Sequence, residues 1–162
     1  MRFILALILL ASLSGPTFAA GVGDKAPELT VETFGGETFD LAAQKGKVVL
    51  INFWAQWCPP CQVELPTIGR FYRHHREEGF SVIAISLDKP RMHESARMLL
   101  GEYFLPGGMA SDMKTDLDLP NALPVTYVID RKGVIRNVVM DELTTGDLEN
   151  LILPLLAESQ KQ

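Results

Sequence analysis

Two cysteines, Cys58 and Cys61, are all the thiols this 162-residue chain possesses. So few cannot build a disulfide framework. Three histidines do not complete the four ligands of a structural zinc site. His74 and His75 are adjacent, so they face different ways on a helix and should be solvated among the arginines, and His93 stands alone. Basic residues are also in deficit. Fifteen Lys+Arg against 20 Asp+Glu give a net charge of −5, which argues against a nucleic-acid or anionic-membrane partner. The acids are spread along the chain and read as solubility. The chain shows no internal repeat, no low-complexity tract and no break in composition that would mark a second domain. No cofactor and no metal are expected. Met92, Met98, Met109 and Met113 read as core filling, and Asp88 and Asp112 as turn and cap residues.

Long apolar runs are missing too. Phe3 to Leu13 stops at 11 residues, short of the roughly 20 that span a bilayer. What is there instead has the layout of a secretory signal peptide. Arg2 opens it, Ser14-Gly15-Pro16 breaks the apolar run, and Thr17 and Ala19 are small where a signal peptidase reads. Cleavage is expected after Ala19, since cleavage one residue later would put Phe18 where a small side chain is wanted. An uncleaved membrane anchor is the weaker reading. The leader, residues 1–19, holds one base and no acid, so the remainder keeps 14 bases against 20 acids, a net −6. It is long enough for one domain with a sizeable core.

Export puts the two thiols in an oxidising compartment, where disulfides usually act as staples. A staple works by closing a long loop, and a two-residue gap closes almost none. Cys58 and Cys61 therefore serve another purpose.

The surrounding pattern locates them. Leu29 to Leu41 alternates around Gly35-Gly36 and predicts two strands joined by a turn. Val48 to Trp54 is a near-continuous apolar run that fits a central strand buried on both faces. From Pro60 the period becomes helical, with Val63, Leu65, Ile68, Phe71 and Tyr72 recurring until Gly79, and Pro66 should bend that helix. Phe80 to Leu87 predicts a second buried strand and Pro90 to Leu105 a second helix. Residues 106–120 read as irregular, with a short strand near Met109. Val125 to Ile129 and Val134 to Met140 predict two further strands around a turn at 131–133, and Thr145 to Glu158 a last helix containing Pro154. The order gives an α/β fold with a mixed sheet.

Cys58 thus falls where a buried strand hands over to a helix. Unpaired N–H groups and the positive end of the helix dipole favour a thiolate there. The thiolate is the nucleophile of disulfide exchange. Cys61, one turn on, can attack a mixed disulfide on Cys58 and release the partner. Cys58 is the candidate attacking thiol and Cys61 the resolving thiol, with Trp57 and Trp54 as an apolar collar. Pro59 and Pro60 suit the first helical turn but supply no N–H, so the thiol pKa should be lowered only modestly.

"FWAQWCPPC", then "ELP", then "LPVTYVID" make the chain resemble the thioredoxin superfamily, and more closely its exported TlpA/ResA/CcmG (DsbE)-type branch. The likeness runs from about Gly23 to the last helix. It implies a thioredoxin-like domain over residues 23–160, a central mixed sheet flanked by helices with an N-terminal β-hairpin extension, and a redox-active Cys58–Cys61 disulfide. It implies a cis Leu123–Pro124 bond beside Cys58, with the backbone of Leu123 pairing with the partner chain, and Trp57, Leu123 and Pro124 are the candidate substrate-binding residues. Thioredoxin's buried aspartate is replaced by Asn52, which cannot accept a proton. Glu64 matches a glutamate of the ResA-like pattern and is the candidate acceptor of the Cys61 proton, against the plain alternative of a solvated surface residue.

The resemblance implies an exported, periplasmic thiol–disulfide oxidoreductase, a monomer, that reduces or exchanges disulfides in client proteins. A membrane or periplasmic thiol donor would feed it, with cytochrome c maturation as one client pathway. Two alternatives stand beside it. A thiol peroxidase on this scaffold would carry Pro-x-x-x-Thr-x-x-Cys, but the matching places here hold Ile51 and Ala55. A copper metallochaperone on this fold usually has three residues between its cysteines and a distant histidine in a matching loop; here the gap is two, and a proline occupies the place beside the thiols where a ligand would sit.

Overall fold

The computed structural model describes residues 20–158; the leader 1–19 and the last four residues lie outside them. Seven strands form one sheet: β1 (Leu29–Thr33), β2 (Thr38–Asp40), β3 (Val48–Trp54), β4 (Phe80–Ser86), β5 (Gly107–Thr115), β6 (Val125–Ile129) and β7 (Ile135–Val139). Their spatial order is β2-β1-β5-β4-β3-β6-β7. β3 and β5 both lie parallel to β4, while β6, β7 and the β1–β2 hairpin run antiparallel to their neighbours. Three α-helices complete the fold: α1 (Pro59–His75), α2 (His93–Glu102) and α3 (Thr145–Ala157).

β3 is central, and every one of its seven residues is buried. Successive side chains of a strand point to opposite faces. Val48, Leu50 and Trp54 accordingly join a core with Leu65, Ile68 and Phe71 of α1, Leu148 and Ile152 of α3, and Ala96 and Leu100 of α2. Val49, Ile51 and Phe53 join a second core with Leu29, Val31, Ile83, Ile85, Val125 and Ile129, to which no α-helical side chain belongs. Each such aliphatic burial stabilises by about 1.5–3 kcal/mol. Asn52 is in phase with Leu50 and Trp54, so its amide enters the helix-side core.

α1 begins as the sequence dictates. Cys58 is its N-cap, and Pro59 and Pro60 occupy the first helical positions, where a missing N–H costs nothing. The helix continues through Pro66 and, after a short 3-10 turn, ends at Gly79, whose φ of 89° is left-handed. Gly69 is needed on its packed face, because a Cβ there would sit 2.5 Å from the Tyr103 carbonyl oxygen.

Two expectations need correction. The stretch read as irregular, with only a short strand near Met109, contains the nine-residue β5, which inserts between β1 and β4. Gly107 and Gly108 look like turn residues but are there for close approach. A Cβ on Gly107 would meet Leu100 and lie 2.6 Å from the Ala84 carbonyl oxygen, and one on Gly108 would strike the Glu32 carbonyl. The second helix is also shorter than its apolar pattern suggests, since Pro90–Met92 form a separate 3-10 turn and Phe104 turns the chain with φ 58°. Among the methionines read as core, Met109 is buried but Met98 is 55% exposed.

Candidate active site

β3 delivers the chain to Ala55, and a tight turn closes with the Cys58 N–H donating to the Ala55 carbonyl at 3.1 Å. Asp88 secures this turn from the end of β4. Its Oδ2 accepts from the Gln56 backbone N–H at 3.0 Å and from Ser86 Oγ at 2.8 Å. The aspartate that sequence reasoning assigned to turn-making therefore also supports the redox segment.

Cys58 and Cys61 form a disulfide, S–S 2.04 Å. Cys58 Sγ also accepts the Cys61 backbone N–H at 3.3 Å. With prolines at 59 and 60, that is the first N–H the helix can offer. The two residues differ slightly in exposure: Cys58 keeps 3% of its surface and Cys61 none. Exchange requires an incoming thiolate to reach a sulfur, so attack is directed at Cys58. Trp57, 68% exposed, stands out beside it. Trp54, expected in the same collar, is instead fully buried in the core that underlies both cysteines. Its position in phase with Leu50 on β3 accounts for this.

The Leu123–Pro124 peptide bond is cis, as the resemblance implied. Pro124 is buried and Leu123 half-buried, immediately before β6, whose Val125 pairs with Phe53 near the end of β3. β6 thus starts at the end of the sheet from which Cys58 emerges.

Glu64 is 1% exposed, which excludes the solvated-surface reading. It lies one helical turn after Cys61 on the buried face of α1. Its Oε1 accepts from Asn52 Nδ2 at 2.7 Å and its Oε2 from the Leu143 backbone N–H at 2.9 Å. Burial pushes its pKa up to about 7, opposed by the donated hydrogen bonds of Leu143 and Asn52 and reinforced by the nearby charges of Glu142 and Asp141. A carboxyl poised near neutrality can both take and return a proton.

Asn52 is the residue whose importance sequence reasoning missed, having registered it only as a lost proton relay. A polar side chain in a strand otherwise wholly apolar was the available signal, since buried polar groups need partners. Leu143 gave none, because a backbone donor leaves no mark in the sequence. Among the histidines, His75 is half-buried rather than solvated, its ring 4.3 Å from that of Phe71. The described residues hold no group of three or more His, Cys, Asp or Glu that could bind a metal. Ile51 and Ala55, at the two places of the peroxidase pattern, are buried and carry no hydroxyl.

Known proteins align with this geometry. The model of the AhpC/TSA family matches residues 22–138. The chain is similar to the thiol-disulfide oxidoreductase ResA of Oceanobacillus iheyensis, 33% identical over 138 residues that cover 81% of this chain and 71% of that one. It is 31% identical over 131 residues to the thioredoxin-like protein YneN of Bacillus subtilis, covering 78% and 76%. Its fold is similar to a crystal structure from Chlorobium tepidum assigned to the thiol:disulfide interchange protein DsbE, with a TM-score of 0.70, 25% identity and coverage of 85% and 99%.

Proposed function

The chain belongs to the AhpC/TSA family, with a thioredoxin-like fold and the CxxC pair of a thiol–disulfide oxidoreductase, and from this we propose that it is an exported reductant of client disulfides. In this reading residues 1–19 are removed and residues 23–160 act as one periplasmic domain, a monomer. No helix among the described residues is long and apolar enough to cross a membrane.

The observation that carries the mechanism is the placement of Cys58 at the N-cap of α1, its residue slightly exposed and that of Cys61 enclosed. In the reduced protein the Cys58 thiolate attacks one sulfur of a client disulfide. The S–S bond breaks, one client thiolate leaves and a mixed disulfide forms on Cys58. Trp57, Leu123 and Pro124 hold the client segment against it. Cys61 then gives its proton to Glu64 and attacks Cys58 Sγ, releasing the second client thiolate. The client has gained two electrons and the enzyme is left as the Cys58–Cys61 disulfide. A thiol donor in the membrane or periplasm restores it by the reverse exchange. The resemblance to the TlpA/ResA/CcmG branch puts cytochrome c maturation forward as the client pathway.

Direction of flow is testable through the potential. With Pro59 and Pro60 withholding two N–H groups, the thiolate is only moderately stabilised. The potential should then lie nearer about −270 mV than the roughly −120 mV of a strong oxidant. Equilibration of the leaderless protein with graded dithiol buffers, read by mass after thiol trapping, measures it. A value above about −150 mV would make the protein an oxidant and overturn the reductant reading.

A further inference from the structure

Asn52 occupies the middle of β3 with no exposed surface, and its Oδ1 has no hydrogen-bond partner among the described residues. An orphaned buried acceptor is a cost to the fold. Leu50 and Trp54, at the neighbouring positions in phase with it, show what packing alone would select there. The cost is borne because both hydrogens of Nδ2 are committed. One goes to Glu64 Oε1 at 2.7 Å and the other to Thr126 Oγ1 at 2.9 Å. Thr126 is fully buried and stands two residues after Pro124, on the strand opposite Asn52. A single amide therefore ties the carboxyl of α1 to the strand that leaves the cis-proline.

We propose that Asn52 is a positioning residue of the exchange reaction: its carboxamide holds the Glu64 carboxylate on the resolving side of the disulfide and sets the pH at which that carboxylate can accept a proton. The inference rests on reading Glu64 as the acceptor of the Cys61 proton. Its physical basis is a count of donors. Glu64 receives two hydrogen bonds, from Asn52 and from the Leu143 N–H, and both favour the ionised form. Burial and the charges of Asp141 and Glu142, on the turn carrying Leu143, favour the protonated form. The hydrogen-bonded groups on β3 and β6 are the neutral Asn52 and Thr126, and Cys61 precedes Glu64 by one turn of α1. Removing the amide deletes one of two supports and leaves the opposing influences intact. The carboxyl must then hold its proton to higher pH.

The test is the pH profile of peptide-disulfide reduction by the reduced protein, across about pH 5 to 9, for the unsubstituted chain, Glu64→Gln, Asn52→Ala and Asn52→Asp. The unsubstituted protein should show an inflection that Glu64→Gln abolishes. In Asn52→Ala the inflection should move upward by about half a unit or more. Asn52→Asp keeps the shape of the side chain and carries the test should Asn52→Ala fail to fold. Its second carboxyl should share a proton with Glu64 and move the inflection the same way. A merely structural role lowers the rate equally at every pH, and that result, or an inflection unmoved in both variants, overturns the proposal. If no inflection depends on Glu64 at all, the acceptor reading itself falls and takes this inference with it.

Discussion

Cys61→Ser is expected to turn the protein from an exchange enzyme into a trap. Cys58 retains the exposed surface and the N-cap position, while Cys61 is wholly enclosed. With Cys61 removed, attack on a client disulfide still proceeds, but nothing within reach can displace the mixed disulfide. A one-to-one covalent adduct should accumulate, visible by non-reducing electrophoresis and located on Cys58 by mass mapping. Turnover of a peptide disulfide should fall to the buffer rate, and Cys58→Ser should fall equally while forming no adduct. The two losses are alike because the thiols act in sequence on one electron pair. An adduct on Cys61 in the Cys58→Ser protein, formed at the original rate, would reverse the roles. In host cells the Cys61→Ser adduct would also identify the client.

Glu64→Gln should produce the second large effect, on rate and on stability together. With a pKa of about 7, the carboxyl is ionised at alkaline pH and able to take the Cys61 proton. The rate should therefore fall as pH drops through about 7. Glu64→Gln should remove that inflection and slow turnover by about a hundredfold above it, the low end for a positioned base. The stability effect has the opposite sense. The folded-state pKa is raised above the ordinary 4.5, so the folded protein holds a proton that the unfolded chain has already released between pH 4.5 and about 7. Stability of the oxidised protein should be greatest below about pH 4.5, as far as this group is concerned, and decline towards pH 7. The loss is about 3 kcal/mol and flat above that. Glu64→Gln should abolish this slope. Urea titrations at pH 5 and pH 8 measure it. A difference between the two pH values that survives the substitution would place the titrating group elsewhere.

Much of this was legible in the residues. The apolar run Val48–Trp54 identified the central strand, while the side of the sheet that Asn52 faces emerged only from the packing. The spacing Cys58, Cys61, Glu64 put three chemical groups on successive turns of one face. The cis bond at Pro124 came from family resemblance, since the intrinsic bias of an X–Pro bond is modest. What stayed hidden depended on contacts made across the sheet. β5 was concealed by Gly107 and Gly108, whose missing side chains admit Leu100, Ala84 and Glu32 but read locally as a turn. Trp54 was read from its nearness in sequence to Cys58, whereas strand parity carries it inward. The acceptor for the Leu143 N–H lies 79 residues earlier in the chain, and no local pattern announces such a bond. Glu64's raised pKa follows from that enclosure, so it could be suspected from spacing but given a direction only from the fold.

The account depends on Cys58 being the thiol that reacts. A brief iodoacetamide pulse on the freshly reduced, folded protein, followed by denaturation, a second label and peptide mapping, measures that directly. The first label should fall on Cys58 alone, with a pH midpoint below the roughly 8.5 of an ordinary thiol. First label on Cys61, or on both cysteines at equal rates, would contradict it.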